Sequence, residues 1–191
     1  MTRTERAMYG PVAQMGFVLW CSTAALAQTA IPGHTGTIAI EGTVEKQKAA
    51  EDAVAVKTID GTKHVLHFAK SLVVHGGDKN GADALDSLRE GTTVVVHYSG
   101  TGARATVQEI DVVGDAGLKV TEGTVTKIDR GRRQITVRFD NATSETFQLT
   151  ERAATGGGND TAGAPAEKDR VTVFYADQGG QKVAHYFRRA K

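Results

Sequence analysis

Residues 41–44 read EGTV, and residues 122–125 read EGTV again. At the same offset of 81, and with no gap, residues 41–68 align with residues 122–149. Glu41, Gly42, Thr43, Val44, Lys46, Val56 and Thr62 meet identical residues, while Val54 meets Ile135, Leu66 meets Phe147 and Phe68 meets Leu149. Parity matters more here than identity. Val54 and Val56 alternate as Ile135 and Val137 do, and Leu66 and Phe68 alternate as Phe147 and Leu149 do. That is the period of two expected of half-buried strands, so the echo reads as the opening of one folding unit used twice. Gly42 and Gly123 then mark a bend or bulge that lets a short strand coil around a small barrel.

The correspondence resumes with VVVHY (94–98) against VTVFY (171–175) at offset 77, after which Val107 meets Val183 and Ile110 falls opposite Tyr186 at offset 76. Each unit therefore has three strands, a long connection and two final strands, with turns where Gly, Asn and Asp tolerate unusual backbone angles. In the first unit the connection ADALDSLREG (82–91) spaces Leu85 and Leu88 for a short amphipathic helix ending at Gly91. In the second, TGGGNDTAGAPAEK (155–168) has almost no apolar residue larger than Ala and predicts a flexible loop over 154–168. The predicted fold is all-β: two tandem five-stranded OB-like barrels, with an SH3-like barrel as the alternative, spanning 36–115 and 116–191. The predicted core is Val54, Val56, Leu66, Phe68, Val94 and Val96 in one unit, and Ile135, Val137, Phe147, Leu149, Val171 and Val173 in the other.

The N-terminus reads as an export signal. Arg3 and Arg6 precede the largely apolar stretch VAQMGFVLWCSTAALA, and Ala25 and Ala27 supply small residues for cleavage after Ala27. The apolar run is short for a membrane span, and a leader follows over 28–35. From Gln28 onward there is no Cys, Met or Trp, which excludes disulfides, thiolate catalysis and sulfur metal sites. The formal net charge of +1 hides an asymmetry. Residues 28–115 carry 8 basic and 12 acidic groups, giving −4, and residues 116–191 carry 13 and 9, giving +4. The split favours docking of the acidic unit on the basic one.

Two sets of side chains are candidate ligands. His67, His75 and His97 lie in the first unit, and three convergent imidazoles would suit Zn or Cu(II). Arg130, Arg132 and Arg133 crowd the first turn of the second unit, Arg138 projects from its second strand, and Phe174 is the best candidate for an exposed aromatic. Together these would form an anion site for a glycan or other polyanion on an OB-type surface, with export arguing against nucleic acid as the partner. No GxSxG, HExxH or Walker sequence occurs, and no Ser/His/Asp pattern converges, so no catalytic residue and no cofactor are assigned.

The segment SLREGTTVVV (87–96), together with the GTV of the first strand, resembles the late segment and opening strand of the periplasmic copper chaperones of metal efflux systems. The resemblance implies a small exported barrel. Those chaperones hold Cu(I) with two Met and a His under a Trp, and the chain from Gln28 onward lacks both residue types. More broadly, residues 36–190 resemble exported bacterial proteins built from one or two OB-like domains of no assigned function. The expectation is a periplasmic or secreted, non-catalytic binding or interaction module, whose partner is a protein, a glycan or a small anion. Metal binding through the histidines is its first alternative, and polyanion binding through the basic second barrel its second.

Overall fold

The computed structural model describes residues 37–48, 52–76, 85, 88–100, 104–155 and 165–189; the expected signal peptide, cleavage point and leader lie outside the described residues. Among the described residues, ten strands form two closed barrels of five. The first contains β1 (Thr37–Lys48), β2 (Ala53–Thr58), β3 (Lys63–His75), β4 (Thr93–Ser99) and β5 (Thr106–Val112). The second contains β6 (Lys119–Asp129), β7 (Gln134–Arg138), β8 (Ser144–Thr155), β9 (Arg170–Gln178) and β10 (Gln181–Arg189). In each, the first three strands form an antiparallel meander, the third pairs parallel with the fifth, and the fourth closes the barrel between the fifth and the first. The parallel pair selects the OB-like order over the SH3-like alternative, because a simple antiparallel meander cannot produce it.

The EGTV segments occupy equivalent places. A Cβ on Gly42 would lie 2.6 Å from the Lys57 carbonyl oxygen and 2.6 Å from Val56 Cγ1. A Cβ on Gly123 would meet the Arg138 carbonyl oxygen and Val137 Cγ1 at the same 2.6 Å. Both glycines are therefore required by close approach of the second strand. The bulge lies three residues later, where pairing skips Glu45 in β1 and Thr126 in β6. There the Val44 and Val125 amides leave the sheet edge and donate to the carbonyls of Thr92 and Asp169, each at 2.9 Å.

The predicted core residues line the two barrel interiors, with Phe68 only partly buried. The helix expected over 82–91 falls largely outside the described residues; Leu85 has 3₁₀ conformation, Leu88 is buried, and Gly91 has a φ of +89°. Among the described residues there is no α-helix, and none is long and apolar enough to cross a membrane. The loop expected from 154 starts later, because β8 runs to Thr155; residues 156–164 are outside the described set.

One register expectation is corrected. Pairing skips Gln108 in β5 and His185 in β10, so Val107 corresponds to Ala184 and Ile110 to Phe187, at offset 77 rather than 76. The physical reason is the core: Ala184 and Phe187 point into the second barrel, and Tyr186 points out of it.

The barrels pack on one another through outward faces. Ala39 and Val95 of the first meet Phe174 and Tyr186 of the second, with Leu118 of the intervening segment, in a separate buried apolar cluster. Consequently Val94–Tyr98 is buried on both faces instead of alternating. The connection is tight: the Leu118 amide donates to the Val112 carbonyl at 2.7 Å and the Gly114 amide to the Leu118 carbonyl at 3.0 Å. Arg188 closes one side of the seam on Glu41 at 2.5 Å.

Candidate functional site

Four polar side chains are sealed in this seam: His97 and Asp111 with no exposed surface, and Glu109 and His185 nearly so. Strand alternation supplies the first three. In β5, Ile110 points into the barrel, so Glu109 and Asp111 share the opposite face, and β4 brings His97 opposite Glu109. A bulge supplies the fourth, since His185 is the extra residue of β10, and a bulge re-aims the side chain it carries. His75, at the end of β3, is exposed at the rim.

His97 donates from Nε2 to Asp111 Oδ2 at 3.0 Å, and His185 donates from Nδ1 to the same oxygen at 3.2 Å. His185 Nδ1 also stands 3.5 Å from Glu109 Oε1, which in turn is 3.6 Å from His75 Nε2. The His75 and His185 rings meet edge to face with centroids 6.0 Å apart. Burial alone would pull the His185 pKa down, but hydrogen bonds to Asp111 and Glu109 and their negative charges outweigh it and push the pKa up to about 9. For Asp111, burial would raise the pKa; hydrogen bonds from His185 and His97, and their charge, instead hold it below the usual carboxylate range. The charged form of His185, from one barrel, is thus favoured by the carboxyl groups of Asp111 and Glu109 from the other.

The rim opens into a cavity of about 330 Å³ bordered by His75, His185, Gly117 and the Lys119–Asp177 ion pair, whose atoms are 2.6 Å apart. Among the described residues, the group whose donor atoms could jointly hold a metal ion is His75, Glu109 and Asp111, with those atoms all within 4.8 Å of one another.

The histidine trio expected from sequence is divided. His97 is buried on Asp111 and His75 joins the rim, whereas His67 is exposed on β3 opposite Thr106 and outside the cluster. Of the arginine set, Arg130, Arg132 and Arg138 are exposed, and Arg133 is half-buried with its guanidinium donating to the Thr150 carbonyl. Phe174 overturns its expectation. It is 1% exposed, tilted against Tyr186 at 5.1 Å and covered by the first barrel, so it cannot stack on a ligand. Sequence reading missed Glu109, Asp111 and His185. The near-continuous apolar runs around His97 and Phe174 were the available signal, because a strand without polar alternation is covered on both faces.

No family model matches the chain, and no curated protein matches it. Among solved structures, a crystal structure of Ag(I)CusF is similar at 11% identity and a TM-score of 0.32, covering 40% of this chain and 97% of that one. The likeness is a distant resemblance of fold.

Proposed function

We propose that the protein is an exported, non-catalytic binding module, formed by one barrel unit used twice, whose ligand site is the seam between the barrels. The observation that carries this reading is the sealed His97, Asp111, Glu109 and His185 cluster opening through His75 onto a cavity. Buried charge is expensive and is generally found where it is used or fully paired. A seam that needed only adhesion would be met by the apolar cluster of Phe174, Tyr186, Val95 and Leu118 beside it. The N-terminal basic and apolar segment supports export to the periplasm or beyond. The arginine surface of β6–β7 is less favoured as a binding site, since Phe174, the aromatic expected to serve it, is buried and Arg133 is held by the Thr150 carbonyl.

The test is an NMR titration of residues 28–191 with Zn(II), Cu(II) and a panel of anionic glycans. Shifts at His75, His185 and the residues around them are the expected result. Shifts confined to the Arg130 turn, or none with any probe, would remove the seam as the ligand site.

A further inference from the structure

We infer that His75, Glu109, Asp111 and His185 form a binding site for a borderline divalent metal ion of the Zn(II) type, shared between the two barrels. The inference rests on the seam reading above and names the class of ligand.

Spacing is the first argument. An ion with bonds of about 2.0–2.2 Å in a tetrahedron keeps its ligand atoms about 3.3 Å apart. The successive separations from His75 Nε2 to Glu109 Oε1, to His185 Nδ1 and to Asp111 Oδ2 are 3.6, 3.5 and 3.2 Å. The ligand atoms of His75, Glu109 and Asp111 all lie within 4.8 Å of one another, and His185 Nδ1 adjoins the Glu109 and Asp111 oxygens, so inward rotation of these side chains would seat an ion among them. Charge is the second argument. Two carboxylates with almost no exposure make this part of the seam strongly attractive to a cation, and a dication gains more from it than a monovalent group does.

Unspent hydrogen-bonding capacity is the third, independent argument. Asp111 Oδ1 and His185 Nε2 are buried without a partner among the described residues, as is His97 Nδ1, although buried polar atoms are nearly always satisfied. Asp111 Oδ1, the second oxygen of the ligating carboxylate, is therefore available to the ion; His185 Nε2 lies across the ring from the ligating Nδ1. Support from outside the ligands is also present: His97 holds Asp111 Oδ2 at 3.0 Å from a fully buried position, the arrangement that orients a ligating carboxylate. Access comes through His75, whose side chain is 51% exposed at the mouth of the cavity.

The donor set fixes the class. Two imidazoles and two carboxylates suit Zn(II), Co(II) or Cu(II), whereas Cu(I) and Ag(I) prefer sulfur, and Ca(II) and Mg(II) prefer all-oxygen sites. His185 would ligate as the neutral ring, giving up the proton it shares with the carboxylates.

The experiment is isothermal titration of tag-free residues 28–191 with Zn(II), paired with the visible spectrum of the Co(II) form. One ion per chain and the intense visible bands of four-coordinate Co(II) are expected. H75A and E109Q should each weaken Zn(II) binding at least tenfold, and H67A should leave it unchanged. H75A is the decisive variant because His75 sits at the exposed rim and its removal leaves the seam folded, which the metal-free melting curve checks. Binding by H75A as tight as by the parent, or equal weakening by H67A, would assign the ion to surface histidines and overturn the site. If no metal ion binds but a glycan shifts the seam resonances, the metal assignment falls and the seam reading stands. If no probe shifts the seam, both fall.

Discussion

Position by position, the two barrels offer the same face to the seam and fill it differently. Offset 77 sets His97 against Phe174, Glu109 against Tyr186 and Asp111 against Arg188. The bulged residue is Gln108 in the first barrel, bonded to Ser99 Oγ at 3.0 Å, and His185 in the second, turned onto its neighbour's carboxylates. One backbone thus carries an acid and imidazole face on one copy and an aromatic face edged by a guanidinium on the other. The site belongs to neither barrel's fold; it arises from the side chains by which the copies differ.

The sharpest way to break this comparison is to mutate paired positions. Asp111→Ala strands the His185 imidazolium and His97 in a dry seam, and losing one partner of a buried pair costs about 3–5 kcal/mol. For a chain of this size that is a melting point lowered by on the order of 10 °C. Arg188→Ala removes a pair with Glu41 that water partly reaches, and is expected to cost roughly 1 kcal/mol. Equal melting losses from the two variants would mean that the seam's stability lies in its apolar cluster and not in the buried charges.

A second pair tests what the barrels share. Gly42→Ala and Gly123→Ala each drive a methyl to 2.6 Å from a carbonyl oxygen of the second strand, which backbone cannot yield cheaply. About 1–3 kcal/mol is expected from each, within a few tenths of one another. Denaturant melts of both variants check it, and a large inequality would show that the two EGTV strands are under different constraints.

Most of the architecture was legible because alternation and offset report on the barrel interior, and the interior obeys them. Val54, Val56, Ile135 and Val137 are buried where parity puts them. The site was less legible for two physical reasons. Glu109 and Asp111 sit on what a single barrel would call its solvent face, and only docking of the second barrel buries them. His185 is placed by a bulge, which breaks the period of two on which the reading depends. Phe174 failed for the first reason, since an outward aromatic on an isolated barrel is an inward one on a docked pair.

Backbone strain separates the copies more gently. The turn before the fourth strand needs a left-handed residue, which is Gly91 at φ +89° in the first barrel and Lys168 at φ +78° in the second. The amides of both donate to the valine of their EGTV strand, at 2.8 and 2.7 Å. A side chain in that region costs about 1 kcal/mol, so Lys168→Gly is expected to stabilise by up to about that amount, less the added freedom of the unfolded chain. Gly91→Ala should destabilise by a similar amount, and thermal melts of the two variants should move in opposite directions.

The smallest contrast is between two turns built on a carboxylate in one barrel and on a side-chain amide in the other. Asp60 accepts from the Thr58 hydroxyl at 2.5 Å and from the Thr62 amide at 3.0 Å, and Asn141 accepts from the Thr143 amide at 3.1 Å and its hydroxyl at 2.6 Å. The Thr58 hydroxyl first, and then the Thr62 amide, lower the Asp60 pKa from 3.8 to about 2. Because the folded value is depressed, the turn's contribution is fully present above about pH 4 and is lost as pH falls through 2. Asn141 does not titrate. Protection of the Thr62 amide from hydrogen exchange should therefore weaken between pH 4 and pH 2, and Asp60→Asn should abolish that dependence while leaving the Thr143 amide as it was. The carboxylate is fully exposed, so the change belongs to the local turn and not to global stability. A Thr62 amide whose protection has the same acid dependence in the Asp60→Asn variant would place the titrating group elsewhere in the first barrel.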